Sequence, residues 1–134
     1  MGLRRDARKL AVKVLYTADT LDIPFSEAWN TVDRGDCPER GVEFAEKLAR
    51  GTLSRLEFID GIIGKHTKNW ESGRITNVDR AIIRLGLYEI NFEDSIPRNA
   101  SINEAVELAK HFSTSKSHRF VNGILDAASR EKSV

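Results

Sequence analysis

The stretch from Asn77 to Phe92, N-V-D-R-A-I-I-R-L-G-L-Y-E-I-N-F, constrains the fold of this chain more than any other. Val78, Ala81, Ile82, Leu85, Tyr88 and Phe92 recur at helical spacing, and Ile83, Leu87 and Ile90 add a second apolar row beside them. Only a strip carrying Arg80, Arg84 and Asn91 stays polar. A helix that is apolar around most of its circumference has to be buried on most sides. The rest of the chain must therefore supply the surfaces that cover it. Thr76, with Asp79 three residues on, reads as its N-cap pair.

The flanking segments are amphipathic helices. Downstream, Ser101-Ile102-Asn103-Glu104 has the form of a capping box, followed by an apolar face of Ile102, Ala105, Val106, Ala109 and Phe112. After a serine-rich loop, Phe120, Val121, Ile124, Leu125 and Ala128 form the face of a last helix. Gly123 within it costs about 1 kcal/mol relative to Ala, which implies close packing against the central helix. Upstream, Leu3 to about Asp19 carries the stripe Leu3, Ala7, Leu10, Ala11, Val14 and Ala18. Pro24 makes a turn, and Ser26 caps a short helix whose Phe25, Ala28, Trp29 and Val32 face inward. Pro38 opens a long helical pattern from Glu39 to about His66, with Val42, Ala45, Leu48, Ala49, Leu56, Ile59 and Ile63 on its apolar side. Gly51 lies midway, suited to a bend or to close packing. Asn69 to Gly73 links two halves, with Trp70 at their junction. No segment alternates apolar and polar residues over a strand's length, so the expected class is all-α.

The 134 residues, 40% apolar and 31% charged, suit one compact soluble unit. No apolar run approaches the ~18–20 residues of a membrane span. The basic N-terminus lacks an apolar signal core, and the single Cys37 fits a reducing compartment; both point to the cytoplasm. Net charge is +1, but its distribution is uneven. Arg4, Arg5, Arg8, Lys9 and Lys13 stand against Asp6 alone in residues 1–16. Residues 110–120 hold Lys110, His111, Lys116, His118 and Arg119 and no acid. At about 100° per residue, Arg5, Lys9, Lys13 and Tyr16 share one side of the first helix. Two basic clusters distant in sequence are thus candidates for one patch in space.

No catalytic constellation is legible. His66, His111 and His118 lack metal-ligand spacing, Cys37 has no activating base nearby, and the carboxylates are expected on solvent faces or in caps. No cofactor is implied, and a binding protein is the default. Single-stranded RNA requires phosphate neutralisation and flat surfaces for splayed bases. The first helix offers Arg4, Arg5, Arg8, Lys9, Lys13 and Tyr16. The start of the last offers Lys116, Ser117, His118, Arg119 and Phe120. On the residues alone the alternatives stay open: a solvated basic face with an incidental Tyr16, a solvated helix start, and Phe120 as core.

The segments D-R-A-I-I-R-L-G-L-Y-E-I, I-N-E-A-V-E-L-A-K-H-F and S-H-R-F-V-N-G-I-L-D resemble the C-terminal half of the NusB family of bacterial transcription antitermination factors. The opening R-R-D-A-R-K-L-A-V-K-V-L-Y is similar to that family's first helix. The resemblance spans nearly the whole chain and is loosest from Asp22 to Trp70. It implies six to seven helices in two three-helix subdomains, about 1–70 and 71–134. It also implies binding of the boxA element of ribosomal RNA leader transcripts together with NusE, a small-subunit ribosomal protein, and loading onto elongating RNA polymerase with other Nus factors. By position the RNA face corresponds to the arginine-rich start and to S-H-R-F, and Asp79 and Arg80 fall near the RNA and NusE surfaces. The family often has a longer arginine run, which Asp6 interrupts here. Its members include monomers and homodimers. Two rivals are the RNA-targeting module of a ribosomal RNA cytosine methyltransferase, of which this chain would be a fragment, and a protein-only helical adaptor.

Overall fold

The structure, a computed structural model, describes residues 2–67, 75–113 and 116–132. These form helices α1 (Leu3–Leu21), α2 (Phe25–Thr31), α3 (Glu39–Ser54), α4 (Leu56–His66), α5 (Asn77–Phe92), α6 (Arg98–Phe112) and α7 (Ser117–Lys132). No described residue lies in a strand, so the fold is all-α, as expected. The link Asn69 to Gly73, with Trp70, lies outside the described residues.

Helix α5 is the spine. Every residue from Ala81 to Ile90 is buried, and α1, α3, α4, α6 and α7 all pack on it. α1 also packs on α2 and α3, and α6 on α7. Leu85 is 1% exposed and Ile82, Ile83 and Leu87 are fully buried. Polar groups share this burial. Arg84 and Glu89 lie on the spine, Asp79 begins it and Glu93 follows it, all inside. The expectation that carboxylates keep to solvent faces and caps fails for these acids because each finds a partner on a neighbouring element.

Local chemistry sets most boundaries. α1 ends where Asp22 turns left-handed (φ 53°) and donates its N–H to the Ala18 carbonyl; aspartate tolerates that conformation better than most residues. Thr76 caps α5, accepting from the Asp79 N–H at 3.1 Å. The continuous helix expected from Glu39 to His66 breaks at Arg55 (φ −120°, ψ 21°). Just before the break, Thr52 and Ser54 bond back to the Leu48 and Gly51 carbonyls, a pattern that bends helices. Ser26 does not cap α2; Pro24 precedes it without a side-chain cap. Nor is Ser101 a cap. α6 starts three residues earlier, after Pro97, and Ser101 sits inside, donating to Glu89 Oε1 at 3.0 Å.

Close approach crowds Gly41, Gly51 and Gly86, and not Gly123; a Cβ on Gly41 would lie 2.7 Å from Cys37 Sγ. A Cβ on Gly51 would overlap the Tyr88 ring, and one on Gly86 would sit 2.8 Å from a Leu125 methyl. Gly123 is exposed and faces open space, so the expectation that it packs against the central helix is wrong. Substitution by alanine should therefore have opposite signs at two helical glycines. Gly123→Ala should stabilise by about 1 kcal/mol through helix propensity. Gly51→Ala should destabilise despite the same gain, because overpacking costs about 1–3 kcal/mol and Tyr88 is boxed in by Phe92 and Glu93. Denaturant melts of the two variants check this; stabilisation at Gly51 would contradict the packing described.

Candidate nucleic-acid interface

The three arginines that open α1 part company. Arg4 is exposed, with its guanidinium 5.3 Å from the Phe44 ring centre on α3. Arg5 lies half-buried and grips Glu104 of α6, Nε donating to Oε1 at 3.1 Å and Nη2 to Oε2 at 2.8 Å. Arg8 points inward. Only 5% exposed, it donates Nε and Nη2 to the two oxygens of Glu89 at 2.9 and 2.8 Å. At about 100° per residue Arg5 is turned roughly 100° from Arg4 and roughly 60° from Arg8, and the group standing opposite each side chain completes the split. Arg8, expected to contact RNA, is instead inside and fully engaged, because a buried carboxylate stands opposite it.

Arg5 and Lys9 form one wall of a groove of about 170 Å³, and Glu104, Glu107, Leu108 and His111 form the other. These last four recur at i, i+3, i+4 and i+7, one face of α6. The groove went unread in the sequence because Glu104 passed for a capping residue; its place on that face was the available signal. Farther along α1, Lys13 is exposed and Tyr16 is 39% exposed. Arg5, Lys9, Lys13 and Tyr16 thus occupy one face, as the periodicity predicts.

The order of bonds along α5 sets the level at which the second cluster lies relative to α1. Arg8 meets Glu89, while Asp19 meets Arg80 at 3.1 Å, so α1 runs antiparallel to α5. Ser101 meets Glu89, so α6 begins near the end of α5, and α1 and α6 run side by side in the same direction. At the other end Ser117 donates to Asp79 Oδ2 at 3.0 Å. That bond ties the start of α7 to the start of α5, level with the C-terminal part of α1. Lys116 and Arg119 are exposed there, His118 is half-buried, and Phe120 is half-buried against the core.

Three residues have other duties than those expected. Ser117 is buried, its hydroxyl spent on Asp79 and 2.9 Å from Ser113 Oγ. Asp79 is 5% exposed and faces inward; Oδ1 has no hydrogen-bond partner among the described residues. A partner surface cannot use it as it stands. Arg80 is held by Asp19 and, at 2.7 Å, by Asn77 Oδ1. Cys37 is half-buried, and burial first, then Asp6, pushes its thiol up, away from nucleophilic character.

The Arg5 hydrogen bond holds the Glu104 carboxyl below its usual range; the Arg5 and Arg8 charges add to this and partial burial opposes it. A carboxyl whose folded pKa is depressed stabilises the fold above its ordinary pKa, and that contribution is lost as pH falls through the folded value. The stability difference between wild type and Glu104→Gln should therefore be full near neutrality and shrink below about pH 4.5. Denaturant melts across that range check it. A difference that stays constant down to about pH 3, well below the ordinary carboxyl range, would contradict the pairing.

Comparison with known proteins agrees with the helical fold just described. The sequence profile of the NusB family matches residues 5–130. The transcription antitermination protein NusB of Trichlorobacter lovleyi is 44% identical over 127 residues, covering 94% of this chain and 89% of that protein. The Bacillus subtilis protein of the same name is 43% identical over 122 residues, with 91% of each covered. Among solved structures, T. maritima NusB superposes with a TM-score of 0.84 at 34% identity, covering 96% of this chain and 91% of that one. A chain from the crystal structure of antitermination factors NusB and NusE in complex with dsRNA gives 0.80 at 30% identity, covering 96% and 97%. With matches that run nearly end to end in both sequence and structure, the chain belongs to the NusB family.

Proposed function

We propose that this protein is a transcription antitermination factor. It binds boxA-type RNA of ribosomal RNA leader transcripts together with NusE, joins the elongating RNA polymerase with other Nus factors, and prevents premature termination. Its action is binding, with no catalytic step, and takes place in the cytoplasm. Family membership supports the class of function, as does the relative crystallised with NusE and RNA. No described helix is long and apolar enough to cross a membrane.

The observation that carries the proposal for this chain is the aligned face of α1. Arg5, Lys9 and Lys13 are spaced along it, Tyr16 stands at its far end, and Lys116 and Arg119 lie level with that end. Cations at successive positions suit a phosphate backbone, and an exposed ring beyond them suits an unpaired base. Arg4 adds charge at the near end. His118 and Phe120 line the start of α7, with Phe120 fixed by the core. Arg8 and Ser117 hold the face in place from within, and Asp79 and Arg80 set where α7 and α1 meet α5. NusE contacts are proposed for surfaces beside these ties.

A titration of boxA RNA, a scrambled strand and a duplex, at several salt concentrations with and without NusE, tests the proposal. Lys13→Ala and Arg119→Ala should weaken binding and lower the salt slope by about 0.7 for each phosphate of a single strand that is no longer neutralised. Tyr16→Ala should cost about 1–3 kcal/mol with the slope nearly unchanged, as the removal of a stacking ring does. NusE should raise RNA affinity, and RNA should raise NusE affinity by the same factor. Equal affinity for boxA and scrambled RNA, or wild-type binding in all three folded variants, would overturn the proposal.

A further inference from the structure

We propose that Glu104 is a positioning residue for RNA binding: it holds Arg5 so that the guanidinium's outer edge receives a phosphodiester. This rests on the RNA-binding function proposed above. Arg5 engages Glu104 side-on, through Nε and Nη2. That grip leaves Nη1, which makes no hydrogen bond among the described residues, and the second N–H of Nη2. Those groups form the end of the planar fork, the edge that matches two oxygens of a phosphate. The Arg5 side chain is 34% exposed and borders the groove shared with Lys9. Its charge is thus present, aimed and unspent at one edge.

Glu104 can aim Arg5 because Glu104 is itself held. Arg8 Nη1 lies 3.9 Å from Glu104 Oε1. Arg8 in turn is locked by Glu89, with side-chain exposures of 6% and 2% for the pair, and Ser101 bonds to the same carboxylate. A line of alternating charge, Glu89, Arg8, Glu104, Arg5, therefore runs from the closed interior to the groove. Its inner members are rigid, and the last member is the one that faces solvent. A carboxylate this close to a polyanion is repulsive on charge alone, so its removal should tighten binding unless its service to Arg5 outweighs the repulsion. Ordering a long side chain at an interface costs enough to change affinity about two- to tenfold. The sign of the effect therefore separates positioning from simple charge.

Fluorescence anisotropy with labelled boxA RNA, over a salt series, should read as follows. Glu104→Gln weakens binding about two- to tenfold, with a nearly unchanged salt slope because the Arg5 charge remains. Arg5→Ala weakens it and lowers the slope by about 0.7. Arg5→Lys does not restore binding, since one ammonium cannot be gripped from the side and still present a fork. In the Arg5→Ala background Glu104→Gln brings no further loss, an outcome that a general structural defect would not produce. Thermal melts establish that each variant is folded at the assay temperature. If Glu104→Gln is not, Glu104→Asp, which keeps the charge but draws it back from Arg5, is expected to show the same loss. Wild-type or tighter binding by the folded Glu104 variant, beside a wild type that binds, overturns this inference alone. A loss at Arg5→Ala with no change of slope overturns the phosphate assignment. A wild type that binds no RNA overturns the functional proposal as well.

Discussion

The structure depends on one buried ion pair, Arg8 with Glu89. Removing two charges from water costs several kcal/mol for each ion, and only good geometry with further hydrogen bonds offsets it. Both conditions hold. The contact is bidentate at 2.8 and 2.9 Å, and Ser101 adds a third bond to the carboxylate. An apolar pair of similar volume at this place would tolerate sliding; this one does not, because displacement along either helix would leave a charge unpaired. α1, α5 and α6 are therefore fixed in register at one point. Everything on the outer face of α1, including the phase of Arg5 and Lys9 relative to α6, follows from that point.

Other polar residues of α5 repeat the device in its other directions. Arg84 donates Nε and Nη2 to Asp60 of α4 at 2.9 and 2.8 Å, and its Nη1 lies 3.7 Å from Asp19 of α1. Arg80 bonds to the same Asp19. Asp79 receives Ser117 and so sets the start of α7. The apolar rows of α5 supply most of the stabilisation, being non-directional and proportional to area. The polar residues supply register. In a protein whose proposed work is to hold an extended strand against several elements at once, register is what keeps cations on different helices at fixed intervals.

The apolar rows of α5 were legible in the sequence because helical periodicity is local, and so was the shared face of Arg5, Lys9, Lys13 and Tyr16. The burial of Arg8, Glu89 and Asp79 was not legible. Arg8 and Glu89 lie 81 residues apart and Asp79 and Ser117 lie 38 apart, and nothing local distinguishes a buried charge with such a partner from a solvated one. The motif S-I-N-E misled for a related reason. It satisfies the pattern of a cap, but Pro97 starts the helix earlier, and the Ser and Glu then face the Arg8 network. Gly123 misled because propensity marks that a glycine is costly, not where space is short; the tight positions are Gly41, Gly51 and Gly86. The family resemblance implied an RNA face as a region but not which arginine within it reaches solvent.

The stability of Glu89→Gln tests this account most directly. The substitution keeps size and shape but removes the charge that faces Arg8 inside the core, leaving Arg8 only the more distant Glu104 at 3.9 Å. Denaturant unfolding at neutral pH should show a loss of about 3–5 kcal/mol, the usual cost of breaking one partner out of a buried pair. Arg8→Met in the same background should recover part of that loss. A loss below about 1 kcal/mol, the range of an exposed ion pair, would show that the pair is not what fixes α1 on the spine.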